Sequence, residues 1–187
     1  MYGGVEKSKE QRQIDKEFID ACDKYFGSRD EATKHHIDRG WEYFYKHELD
    51  TAMMRFNQAW LLDSLNADIF WGFGNILGQQ QKFQESLKFF DKSLKLNPKN
   101  ADVWFCAAVS YGQLFYQSKD ISLLNKAIEN LKQTITLDST NAMAYGQLTA
   151  SYSYFNQLDS AKKYLQITER LNPNMVHPEV RQLLNDE

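Results

Sequence analysis

The stretch LKLNPKNADVW, Leu94 to Trp104, sets a helix stop and a helix start back to back. An apolar run closes at Leu96. Pro98 has no amide donor and biases Asn97 away from the helical region. Asn100 has the chemistry of an N-cap, and Asp102 in the next turn suits the positive end of a helix dipole. The same phrase returns as LLDSLNADIFW from Leu61, TLDSTNAMAY from Thr136 and RLNPNM from Arg170. Asn66 and Asn141 stand where Asn100 does.

Four copies of one junction imply a repeated unit, and the spacing gives its length. Leu62, Leu96, Leu137 and Leu171 are separated by 34, 41 and 34 residues. Within each unit apolar residues recur with helical period, as in Phe70, Phe73, Gly74 and Leu77, then Phe83, Leu87, Phe90 and Leu94. Small residues recur at matched points: Gly40, Gly74, Ala108 and Thr149, then Ala52, Ser86, Ala127 and Ala161. Small side chains at matched points let paired helices approach closely while bulky neighbours fill the flanks. A glycine inside such a run costs about 1 kcal/mol relative to Ala unless packing compensates, so these glycines read as packing positions.

Period and residue types together resemble the tetratricopeptide repeat family, a 34-residue helix-turn-helix with a W-x2-L-G-x2-Y…A-x3-F…P pattern. The resemblance covers Thr33 to Met175. His36 and Arg39 depart from the pattern in the first unit, and serine replaces proline at two junctions. The resemblance implies an all-α fold, a right-handed superhelical solenoid of antiparallel helix pairs. The expected divisions are repeats at 33–66, 67–100, 101–141 and 142–175.

Seven extra residues in the third unit equal about two helical turns. Apolar periodicity continues on both sides of Ser118-Lys119-Asp120, so both helices are expected to lengthen by a turn. The alternative is a flexible loop. Residues 1–7 read as a flexible polar leader without the apolar segment of a signal peptide. Residues 8–32 read as an N-terminal helix and the start of the first repeat helix. Ser8/Gln11 and Ser28/Glu31 look like capping boxes and Gly27 like a C-terminal stop. Ile14, Phe18, Ala21, Cys22 and Tyr25 form one apolar face, expected to cover the end of the first unit. Residues 176–187 read as a C-terminal capping helix with Val180, Leu183 and Leu184 inward. Lys162 and Glu169 replace the apolar residues found at matched positions of earlier second helices. That suits a terminal repeat with a solvated face.

Composition narrows function. The net charge of −3, with both signs interleaved and no basic stripe, argues against nucleic acid as a partner. No apolar run reaches membrane-spanning length. Compartment stays open between the cytoplasm and export after signal removal. Cys22 and Cys106 lie far apart in apolar helical surroundings, as buried free thiols do. His35, His36, His47 and His177 sit in no metal-binding or catalytic motif, and adjacent His35 and His36 point to different helix faces. The glycines of GFGNILG, from Gly72, follow no strand and are not a nucleotide loop. Neither a metal nor a cofactor is expected, and no carboxylate pairs with a base. The chain reads as a non-enzyme.

What remains is surface. The resemblance implies that first helices line a concave groove for extended peptides or helices. The stripe facing it would hold Ile37, Trp41, Phe44 and Tyr45; Trp71, Asn75, Gly78 and Gln79; Phe105, Val109, Gly112 and Gln113; and Gly146, Ala150, Ser153 and Tyr154. Family members that clamp a C-terminal carboxylate use lysine, arginine and asparagine there. Only Asn75 matches, so a clamp is not expected. Aromatic residues instead suit an apolar or aromatic-anchored protein or peptide partner. The other reading buries Trp41, Trp71 and Phe105 under neighbouring helices or the N-terminal segment. A second hypothesis for function is a self-associating scaffold, a homo-oligomer built through the aromatic surface or the lengthened third repeat. A stable monomer across concentrations would exclude it.

Overall fold

The computed structural model describes residues 6–185. Residues 1–5 of the expected leader and 186–187 of the expected capping helix lie outside them. Among the described residues there are ten α-helices and no strand. An N-terminal helix α1 (Lys9–Tyr25) precedes four helix hairpins. These are α2 (Arg29–Tyr45) with α3 (Leu49–Leu62), and α4 (Ala67–Gln79) with α5 (Phe83–Leu96). Then come α6 (Ala101–Ser118) with α7 (Ile121–Leu137), and α8 (Ala142–Tyr154) with α9 (Leu158–Leu171). A single 3-10 turn, Pro173–Met175, leads to α10 (Pro178–Asn185). The chain forms two compact units, Met1–Pro98 and Lys99–Glu187.

The junction asparagines cap as their chemistry predicts. Asn66 accepts from the amide of Asp68, Asn100 from Asp102 and Val103, and Asn141 from Ala144. The turns inside hairpins use another device. His47, Gln81 and Asn156 hold φ of 61°, 61° and 54°. In each case the next amide reaches back five residues: Glu48 to Tyr43, Lys82 to Leu77 and Gln157 to Tyr152, at 2.9, 2.9 and 3.0 Å. This left-handed closure satisfies carbonyls at the helix end and reverses the chain. The second helices α3, α5 and α9 then start without a side-chain cap.

The third hairpin lengthens as helix. α6 has 18 residues against 13 in α4, and α7 has 17 against 14 in α5. Its turn is one residue shorter, with Lys119 left-handed at φ 61° and Asp120 capping α7. Together these changes account for the seven extra residues, and no flexible loop is inserted.

In the first unit the core centres on Phe56 of α3. An added Cβ at Gly40 of α2 would stand 2.8 Å from its ring, and one at Gly72 of α4 only 2.4 Å away. Phe56 thus lies between two helices that approach closely because both lack a side chain there. Phe90 of α5 sits the same way on Gly74, at 2.4 Å. In the second unit the matched first-helix residues are Ala108 and Thr149, and the matched second-helix residues are Leu131 and Leu165, all buried. Glycine goes with phenylalanine, and alanine or threonine with leucine, so each pair fills a similar volume.

Both terminal helices cover the ends of their own units, with corrections to the residues involved. α1 has the Ser8/Gln11 capping box complete. Cys22 packs with Ala32 and Leu62, joined by Phe18, Ile19 and Phe26. Ile14 and Tyr25 are 63% and 78% exposed, and Ala21 is exposed too. The burying face is therefore rotated from the expected one. α1 ends just before Gly27, with Phe26 as the C-cap, and the Gly27 amide donates to the Glu31 carboxylate at 3.0 Å. Ser28 caps α2, so the reciprocal bond of the second box falls one residue early. In α10, Leu184 and Val180 pack with Leu165 and Val176, whereas Leu183 is 47% exposed. Glu169 accepts from Arg181 of α10 at 3.1 Å, so α10 ties into the polar side of α9.

Candidate functional site: the first-helix faces

On the first unit α2 and α4 bring the expected aromatic residues together. Trp41 and Trp71 have ring centroids 4.6 Å apart. Tyr45 stacks on Trp41 at 6.1 Å and 29°, and Phe44 meets Trp41 edge-on at 5.5 Å. Trp41 also meets Phe56 edge-on at 5.3 Å, which anchors the group to the core. Trp41, Phe44 and Trp71 are half-buried, and Tyr45 is 73% exposed. The result is a row of rings from exposed Tyr45 through Trp41 to Trp71. Ile37 departs from the expected stripe: it is 7% exposed and belongs to the core around Phe56. The cluster that α1 buries does not include Trp41 or Trp71.

The polar members are partly engaged. Asn75 donates to the Trp71 carbonyl at 2.9 Å. Gln79 hydrogen-bonds His47 Nδ1 at 2.7 Å and ties the end of α4 to the α2–α3 turn. The Trp71 indole N–H is buried and meets no acceptor within the protein.

On the second unit the stripe is looser. Phe105 and Val109 are half-buried, and Gln113 is exposed. Tyr154 is 56% exposed and meets Phe115 edge-on at 5.1 Å. Gly146 is covered: an added Cβ would lie 2.2 Å from the carbonyl oxygen of Met175, so the segment before α10 occupies that position.

The chemistry-bearing residues lie elsewhere. Cys22 Sγ is 3.9 Å from His36 Nε2 under α1, with Phe18 edge-on to the imidazole at 5.2 Å. Burial, then the neighbouring charges of His35 and Arg55, push the His36 pKa down to about 4. Burial raises the Cys22 thiol, with Asp23 adding to it, which disfavours the reactive thiolate. Neither cysteine forms a disulfide, but Cys106 is only half-buried rather than enclosed. Among the described residues no group of three or more His, Cys, Asp or Glu could hold a metal ion, and no helix is long and apolar enough to cross a membrane.

Two features escaped the sequence reading. One is a groove of about 330 Å³ between α1 and α3, lined by Ile14, Phe18, Met54, Trp60 and Leu61. It arises from the rotation of α1, which periodicity alone does not fix. The other is Asp68, whose carboxyl is pushed up by desolvation. Its signal was present as an aspartate three residues before Trp41, Trp71 and Phe105 alike.

Repeated helix hairpins with an aromatic first-helix face define a helical-repeat protein. Residues 67–100 match the family model described as Tetratricopeptide repeat. A Caenorhabditis elegans protein, tetratricopeptide repeat-containing protein trd-1, is 28% identical over 120 residues, 64% of this chain. The Hsp70-Hsp90 organizing protein of Triticum aestivum is 25% identical over 101 residues, 54% of this chain. The matches span only 14% and 16% of those relatives' lengths. The crystal structure of MamA shares the fold, with a TM-score of 0.63 at 17% identity, covering 98% of this chain and 100% of that one. In sequence the chain is thus similar to tetratricopeptide-repeat proteins, and in fold to the helical solenoid of MamA.

Proposed function

We propose that the chain is a non-catalytic protein-interaction module that docks a peptide or helix of a partner protein on its first-helix face. The observation that carries this is the row Tyr45–Trp41–Trp71, exposed at Tyr45 and anchored on Phe56 through Trp41. Rings held this way lose little conformational freedom on binding and supply much of an interface's energy.

The wheat relative's name ties that protein to Hsp70 and Hsp90. In this chain α4, α6 and α8 contain no lysine or arginine. That absence argues against a clamp for an acidic C-terminus and for anchoring by aromatic contact. The test is capture of partners by the intact chain and by Trp41→Ala/Trp71→Ala, with Tyr45→Ala as a control that leaves the core untouched. Partners are expected to be lost with both variants at an unchanged helical signal. Undiminished partners would defeat the assignment.

A further inference from the structure

From α4 onward charge is sorted between the two kinds of helix. Asp68 is the single charged residue of α4 and Asp102 of α6, and α8 has none. The second helices carry the cations: Lys88, Lys92 and Lys95 on α5, and an excess of lysine and arginine on α7 and α9. On α2, Arg29 pairs with Asp23 at 2.8 Å and Arg39 pairs with Glu42. Lys34 remains, about two turns before Trp41.

The acidic residues also have a fixed place. Asp38, Asp68 and Asp102 each stand three residues before Trp41, Trp71 and Phe105. Residues at that spacing share a helix face, and a helical side chain leans over the turn before it. Each ring therefore shares a helix face with a carboxylate one turn before it. Among the described residues no cation forms an ion pair with Asp68, which is exposed and open to one from a partner.

We infer that the docked segment is basic, with a lysine or arginine seated against the Trp41–Trp71 pair and its charge met by Asp68. This rests on the docking face proposed above and adds the partner's chemistry. A cation within about 6 Å of an indole face is attracted to it, and desolvation strengthens the attraction. An acidic segment would instead meet Asp68 and Asp38 as like charges. Aspartate in a first helical turn also favours the helix dipole. That role alone would make Asp68 matter for stability and not for binding.

Random peptides displayed on phage, selected on the full chain, provide the test. Selected peptides are synthesised and their affinities measured for the wild type, Asp68→Asn and Tyr45→Ala. Lysine and arginine should be enriched. Each variant should bind about five- to tenfold more weakly at an unchanged melting temperature. Replacing the peptide's cation by glutamine should abolish the effect of Asp68→Asn. Peptides that need Tyr45 but are uncharged or acidic, or that ignore Asp68→Asn, would overturn the basic partner and leave the docking face standing. Peptides indifferent to Tyr45→Ala would overturn both.

Discussion

Phe56 shows how single residues set the packing of this chain. Its ring fits because Gly40 and Gly72 present bare backbone to it. Gly72→Ala puts a methyl group 2.4 Å from that ring, and the ring is held by two helices. A loss of about 1–3 kcal/mol is expected in denaturant unfolding. Gly74→Ala should cost a similar amount through Phe90, and Gly74→Ala/Phe90→Leu should recover part of it, because Ala108 with Leu131 already shows that pairing. Gly40 and Gly74 were legible in the sequence as matched small positions. Gly72 was not, because its constraint comes from a neighbouring hairpin rather than from its own repeat. His36 gives a second prediction at this scale. Its pKa falls from 6.5 to about 4 on folding, so the unfolded chain binds the proton more readily between those values. The stability from keeping it neutral is complete above pH 6.5 and is lost as pH falls toward 4. The melting temperature of wild type should fall relative to that of His36→Phe as pH falls through that window. A constant difference would contradict the assignment.

Elements are punctuated by two different devices, and only one of them was visible in the sequence. The junction caps Asn66, Asn100 and Asn141 follow from side-chain chemistry. The turns at His47, Gln81 and Asn156 depend on backbone conformation, and none of them carries the glycine that would signal it. Gln81→Gly should therefore stabilise the protein by about 0.5–1 kcal/mol, because φ of 61° strains a residue with a Cβ. Thermal unfolding checks the sign; destabilisation would show that the side chain of Gln81 contributes more than its strain costs. Helix lengths in the third hairpin were legible, since apolar periodicity ran through the insertion. The rotation of α1 was not. Its sequence offers apolar residues on more than one side, and packing on Ala32 and Leu62 selects Phe18, Ile19, Cys22 and Phe26.

At the scale of the molecule, repetition does two jobs. It builds the hairpins of each unit, and from α4 onward it sorts residues so that first helices carry rings, amides and at most one carboxylate while second helices carry the cations. The aromatic stripe was legible from helical spacing, apart from Ile37, which the core claims. Its contacts across α2 and α4 were not, because they depend on how neighbouring hairpins meet. The chain also has a competing apolar surface, the groove between α1 and α3 lined by Trp60. The tryptophans themselves distinguish the two. Indole N–H resonances of Trp41, Trp60, Trp71 and Trp104, assigned by single Trp→Phe variants, are followed by NMR as a selected peptide is added. Docking on the first-helix face predicts that Trp41 and Trp71 shift while Trp60 stays in place. A shift at Trp60 with Trp41 and Trp71 unmoved would contradict it.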